Sequence, residues 1–195
     1  MINDYEATKP MTVDAEPVEY QSARDRSIDE ICSKLNDLIV TCKDGQEGFR
    51  NAAENVEAPE FKQFFAECSL QRAQFVGELQ SLVRSLGGDP ETTGSFSATL
   101  HRGWMDLKAA IEGNDEGGIL VEAERGEDTA KEAYKNVLKE TLPTNVRDLV
   151  ERQYEAVSSV HESVRKLRDA FKDIEDLGRS STPPSNFSNT AGTRP

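Results

Sequence analysis

Between residues 27 and 176 nearly every apolar residue recurs at intervals of three and four, with no stretch of the alternation that a half-buried strand requires. At about 100° of turn per residue, that spacing lays one apolar stripe along a helix and leaves the rest of its surface polar. It restricts the chain to an all-α fold. Breakers cut the pattern into pieces. Ser27, with Glu30 in the capping-box position, opens a first helix whose stripe is Ile28, Ile31, Cys32, Leu35, Leu38, Ile39, Cys42, Phe49, Ala53 and Val56. Pro59 suits the first turn of a second helix carrying Phe61, Phe64, Phe65, Cys68, Phe75, Leu79, Leu82 and Leu86, which "GGDP" stops. A shorter helix is expected over 96–111, with Phe96, Leu100, Trp104, Leu107 and Ile111 on one face, until "EGNDEGG" breaks it. The spacing resumes over 115–139. After Pro143 it runs to about Asp176 through Val146, Leu149, Val150, Val157, Val160, Val164, Leu167, Phe171 and Ile174.

Short breaks join the first pair of long helices and the last pair, so each pair is read as an antiparallel hairpin. The helix between the pairs would be about 25 Å long and can carry the chain back along most of the bundle. The second and third long helices then run parallel, which is the ferritin-like connectivity among bundle folds. The expected architecture is therefore an all-α, ferritin-like four-helix bundle of two antiparallel helical hairpins with a crossover helix, spanning 27–176. Residues 1–26, with Pro10, Pro17 and no sustained period, and residues 177–195, rich in Ser, Thr, Pro and Asn, are expected to be disordered because they cannot bury enough surface to offset ordering entropy.

A net charge of −13 argues against a nucleic-acid groove or an anionic membrane surface, both of which need concentrated Lys and Arg. The densest basic cluster, Arg165, Lys166 and Arg168, is interleaved with Glu162 and Asp169 and reads as a solvated helix face. No secretory signal and no transmembrane span is read from the sequence. Cys32, Cys42 and Cys68 show no metal-type pairing and fall at apolar helical positions, as small buried residues of a reducing cytoplasm would. No glycine pattern follows a strand, so none is a phosphate loop. No nucleophile has a base beside it, and no catalytic or cofactor-binding residue is assigned. Gly45, Gly48, Gly77 and Gly126 fall inside helices at a cost of about 1 kcal/mol each against Ala, so close helix approach or a small pocket is expected to offset them.

One residue breaks the apolar stripes. In "ILVEAERGEDTAKEAY", Glu127 falls among Ile119, Ala123, Ala130, Tyr134 and Val137. Ferritin-like di-metal sites place a Glu from each of two helices and a Glu-x-x-His from each of the other two at one inward level, because hard iron or manganese wants anionic oxygen ligands. At that level the first helix offers Cys42 with Gln46 a turn on, while Glu47 lies on the opposite, solvated side. The second offers Cys68 and Arg72, with Gln71 beside them and Glu67 and Glu78 flanking. The last offers Gln153 and Val157, with His161 on the flank. A single carboxylate cannot hold two metals, but it can pair with a guanidinium. The expected arrangement is a buried Arg72–Glu127 pair with further hydrogen bonds from His161, Gln71 or Gln153. The competing arrangements make Glu127 a boundary acid reaching water, or a reduced iron or manganese site built from Glu127 and His161 with some of Gln71, Gln153 and Glu47. His101 and His161 read as surface or boundary residues, and Trp104 and Tyr134 as core packing.

The stretches "LNDLIVTCKDGQEGFRNAAE", "FSATLHRGWMDLKAAIEGND" and "ILVEAERGEDTAKEAYKNVL" together resemble an uncharacterised bacterial family of ferritin-like four-helix-bundle proteins. The resemblance covers residues 27–171. It implies a ferritin-like fold, no assigned activity, and relatives linked to stress responses. Iron-binding ferritin-like proteins carry a Glu followed seven residues later by Tyr, which Glu127 and Tyr134 match; Cys42 and Phe49 occupy that register in the first helix, and Ser158 replaces Glu in the Glu-x-x-His spacing to His161. The reading is a cytoplasmic, non-catalytic structural or interaction protein linked to stress, with no cofactor. A metal-binding bundle is the alternative, and a homodimer is a candidate assembly.

Overall fold

The computed structural model describes residues 18–92, 106–113 and 115–180. They form α1 (Val18–Asn55), α2 (Pro59–Ser85), a short α3 (106–112), α4 (Glu116–Leu138) and α5 (Thr144–Ser180), with no strand among the described residues. None of these helices is long and apolar enough to cross a membrane.

Local chemistry sets most helix ends. Pro59 opens α2, where its missing N–H costs no helical hydrogen bond, and the free amides just before it find an acceptor in another hairpin: Glu57 N and Ala58 N donate to Glu116 Oε1 at 2.6 and 3.1 Å. Asp115 caps α4 by accepting Gly118 N at 2.9 Å. Beyond α2 the chain turns through Gly87, whose φ of 85° lies in the left-handed region. Gly88 then passes so close to α1 that a Cβ there would lie 2.6 Å from Cys32 Sγ. Asn36 straps the following residues to α1, donating to Asp89 O at 3.0 Å and accepting from Glu91 N at 2.8 Å.

Two ends differ from the sequence expectation. The backbone of α1 is helical from Val18, not from Ser27, because no Gly or Pro interrupts the run that follows Pro17 and helix-compatible residues simply continue the turn. Likewise α5 continues to Ser180 rather than stopping near Asp176. The rest of the two segments expected to be disordered, 1–17 and 181–195, lies outside the described residues, as do Phe96, Leu100, His101 and Trp104 of the expected crossover helix.

The core falls into two apolar clusters along the bundle axis. The first joins Ile31 to Cys42 of α1, Phe75, Leu79 and Val83 of α2, Ala130, Tyr134 and Val137 of α4, and Val146, Val150 and Val157 of α5. The second joins Phe49, Ala52 and Ala53 of α1, Val56 just beyond it, Phe65 and Cys68 of α2, Leu107, Ile119 and Leu120, and Val160 and Val164 of α5. This membership fixes the directions: α1 and α4 are antiparallel, as are α2 and α5, so α2 and α4 run parallel. The chain leaves α2 at the first cluster and enters α4 at the second, so the end of α2 and the start of α4 lie at opposite ends of the bundle. Around the bundle the order is α1, α2, α5, α4, and of the adjacent pairs α2 and α5 approach each other least closely.

The helical glycines did not all find the expected use. A Cβ at Gly48, Gly77 or Gly126 would meet nothing within 4 Å, whereas one at Gly45 would touch Arg72. Gly77 and Gly126 are exposed, so replacing either with Ala should remove only the backbone entropy cost of glycine. We expect Gly77→Ala and Gly126→Ala each to raise stability by about 0.5–1 kcal/mol in denaturant unfolding; a loss of stability would mean that these positions carry a contact beyond the bundle.

Candidate functional site

Between the two apolar clusters the interior turns polar. On α2, Arg72 follows Cys68 by one turn and points inward; on α4, Glu127 precedes Ala130 and Tyr134 on the inward face. These helices lie diagonally across the bundle, and a guanidinium on its long stem is what can reach between them. Arg72 Nη2 donates to Glu127 Oε1 at 2.7 Å and to Oε2 at 2.6 Å. The two side chains are 1% and 2% exposed. Burial pushes the Glu127 carboxyl above its ordinary range, and the Arg72 charge and hydrogen bonds pull it back only in part. Burial alone would lower Arg72, but the facing Glu127 charge and its hydrogen bonds, with smaller contributions from Cys42 and Tyr134, together more than reverse this and hold the guanidinium protonated. Phe49 and Phe75 complete the wrapping, with ring centroids 5.8 and 5.6 Å from the guanidinium carbon, a cation–π arrangement that favours the charged form.

A second polar chain runs round the bundle beside this diagonal. Tyr134 O–H donates to Gln153 Oε1 at 2.7 Å, and Gln153 Nε2 donates to Glu78 Oε2 at 2.8 Å. Cys42 Sγ lies 3.1 Å from the Tyr134 oxygen. Because a phenol has one proton and Tyr134 spends it on Gln153, the Cys42 thiol must be the donor. Burial supports that assignment, pushing Cys42 up to about 11 and also raising Tyr134, so both stay protonated. The chain ends at the surface, where Arg152 Nη2 donates to Glu78 Oε2 at 3.0 Å and Gln74 Nε2 to Oε1 at 2.9 Å. Cys42, Tyr134, Gln153 and Glu78 thus contribute one residue from each long helix. Glu78 also bridges the α2–α5 seam, where neighbouring backbones are farthest apart.

The candidate ligands are not brought together. Gln153, 0% exposed, is committed to Tyr134 and Glu78 rather than to the ion pair. His161 is 12% exposed and faces α4, with Nδ1 3.3 Å from Lys131 Nζ and Nε2 2.8 Å from Asp128 Oδ1 without hydrogen-bond alignment. Gln71 is half-buried beside Arg72, with its Oε1 bonded to no protein group. None of the three supplies the further hydrogen bonds expected for the pair: Gln153 is taken up by Tyr134 and Glu78, and His161 is turned from the flank of α5 toward Lys131 and Asp128. Glu47 lies on the outer side of α1 and bonds Arg50 at 2.6 Å and Asn51 at 2.9 Å. Among the described residues, no group of three His, Cys, Asp or Glu side chains is arranged to hold a metal ion. The residues present offer an inward metal one carboxylate that already faces a fixed positive charge, so the donor set does not fit a di-metal centre.

Removing one partner of a buried pair strands the other charge, whereas removing both does not. Arg72→Met should therefore cost about 3–5 kcal/mol, and the double variant Arg72→Met with Glu127→Leu should recover most of that loss. Denaturant unfolding of the four proteins measures the coupling, and additive losses would dissolve the pair as a unit. Acid should act through Glu78. Partial burial raises its carboxyl, but the hydrogen bonds from Gln153, Gln74 and Arg152 outweigh that and hold it below the ordinary glutamate range. A depressed carboxyl contributes stability above its unfolded-state value and loses it as pH falls through the folded-state value. Glu78→Gln should flatten the acid limb of the stability–pH curve; superimposable limbs would show that Glu78 contributes nothing to it.

A family model described as a domain of unknown function, DUF2383, matches residues 30–140, more than half of the 195-residue chain. Among solved structures, a two-domain protein from Anabaena variabilis ATCC 29413 containing DJ-1/ThiJ/PfpI-like and ferritin-like domains is similar, with a TM-score of 0.61 at 15% identity, over 97% of this chain and 50% of that one. The chain therefore spans half the length of that protein, and the likeness is one of fold: a ferritin-like helical bundle. No curated protein matches.

Proposed function

This chain belongs to the DUF2383 family, and we propose that it is a non-catalytic ferritin-like bundle whose role is structural or lies in interaction with other proteins. The observation that carries this reading is the Arg72–Glu127 pair. At the level where a di-metal bundle needs converging carboxylates, this one supplies a guanidinium that takes up both oxygens of the single inward acid. A fixed cation there repels a second cation and occupies the lone pairs that would bind it. The polar chain from Cys42 to Glu78 adds cross-helix hydrogen bonds that fix register, a use of interior polarity that needs no reaction.

Three cysteines, all free and buried, support a reducing cytoplasmic setting. The net charge of −13 favours a partner other than nucleic acid or an anionic membrane. The bacterial, stress-related setting follows the family resemblance, and a homodimer remains the simplest assembly for an interaction protein. Incubation with iron(II) or manganese(II) under anaerobic conditions, followed by desalting and metal analysis, tests the central point. We expect no stoichiometric retention; about two tightly held ions per chain, as in a di-metal bundle, would overturn the reading.

A further inference from the structure

The apolar stripe of α5 outruns the bundle. Val160 and Val164 pack in the second cluster, and Phe171 still meets Phe61, with the ring centroids 6.5 Å apart. Ile174 and Leu177 continue the same spacing but are 69% and 72% exposed. At about 100° of turn per residue, Asp173 and Asp176 lie on the Leu177 side of this stripe, and Lys172 lies opposite it. The end of α5 is therefore a projecting apolar edge flanked by acids.

A groove lies on the outer face between α1 and α2, with a volume of about 690 Å³. Its walls include Ala53, Ala66 and Leu70, with the charged residues Arg50, Lys62 and Glu54. Leu70 is 72% exposed, and with Ile174 and Leu177 it is among the three most exposed large apolar side chains of the described residues. The two surfaces are complementary in shape and sign. One is a helix end edged with carboxylates; the other is a hollow in which cations outnumber acids, on a chain whose net charge is −13.

We propose that the end of α5 docks in the α1–α2 groove of a second copy of this chain, with Ile174 and Leu177 against Leu70 and the Asp173 and Asp176 carboxylates toward Arg50 and Lys62. The proposal deepens the interaction reading above and rests on it. A chain cannot fill its own groove, because α5 borders α2 and α4 but not α1, and it is one continuous helix to Ser180. Elsewhere the acids of α5 would face a like-charged protein; in the groove they meet Arg50 and Lys62. Two copies exchanging ends about a two-fold axis form both contacts at once and close as a dimer.

Light scattering of the full chain over a concentration series should show this association. Leu70→Lys and Leu177→Lys alter exposed side chains, so each should leave the circular dichroism melt unchanged while weakening association roughly 10- to 100-fold, as expected for losing a buried leucine contact. Charge reversal identifies the two surfaces as partners. Asp173→Lys with Asp176→Lys, and Arg50→Glu with Lys62→Glu, should each dissociate, and an equal mixture of the two proteins should associate again, because the reversed ends fit the reversed grooves. An unsubstituted chain that stays monomeric to millimolar concentration would overturn the proposal, as would association insensitive to these substitutions or a mixture that fails to recombine. Metal analysis reads the absence of a di-metal centre separately, so the two failures are distinguishable.

Discussion

A charge at the centre of a helical bundle must meet its opposite, and Arg72 and Glu127 meet that requirement across the bundle's diagonal. The pair adds little net stability over a well-packed apolar core, because desolvating two charges offsets most of their attraction. Its effect is to make wrong arrangements costly. Sliding α2 by one turn against α4 would leave two uncompensated charges in the interior, so this contact defines the register of two helices that are not neighbours.

Much of the architecture follows from that level. The apolar core divides into two clusters above and below it. Each cluster draws on all four long helices and can pack by size alone. Phe49 and Phe75 cover the Arg72 guanidinium. The Cys42–Tyr134–Gln153–Glu78 chain then ties the helices together in sequence round the bundle and closes the α2–α5 seam where side-chain packing is sparsest. At the far end Glu116 plays a comparable part, accepting the amides of the α1–α2 turn and joining one hairpin to the other.

The long helices were legible because periodicity is a local property. Ile119, Ala130 and Tyr134 on one face specify burial whatever surrounds them, and Glu127 among them is conspicuous for the same reason. The Arg72–Glu127 contact could also be reached, since each residue sits at the inward midpoint of its own helix. Less could be said of flank positions. Glu78 flanks the stripe of α2, and whether it faces a neighbour depends on the rotation of the helices about their axes, which no single helix's pattern contains; Gln153 is inward by its spacing, but which groups its amide meets depends on the other helices. Tyr134 read as packing because its ring fits the stripe; its hydroxyl acquires a partner only when Gln153 arrives from another helix. His161 shows the converse, a residue whose spacing suggests a ligand but whose flank position turns it toward Asp128 and Lys131. Helix starts were misjudged at Ser27 because a good cap does not stop a helix that can continue upstream.

The central claim is that the Arg72 guanidinium is locked against Glu127 in a dry interior. Nitrogen-15 NMR of the arginine side chains tests it most directly. A guanidinium whose Nη2 is held by both carboxylate oxygens should show resolved Nη2 protons, blocked rotation about its Cζ–Nη2 bond, and slow exchange with solvent. The account predicts these signatures for Arg72 and their absence in exposed arginines such as Arg165. Averaged, rapidly exchanging Arg72 protons would contradict it.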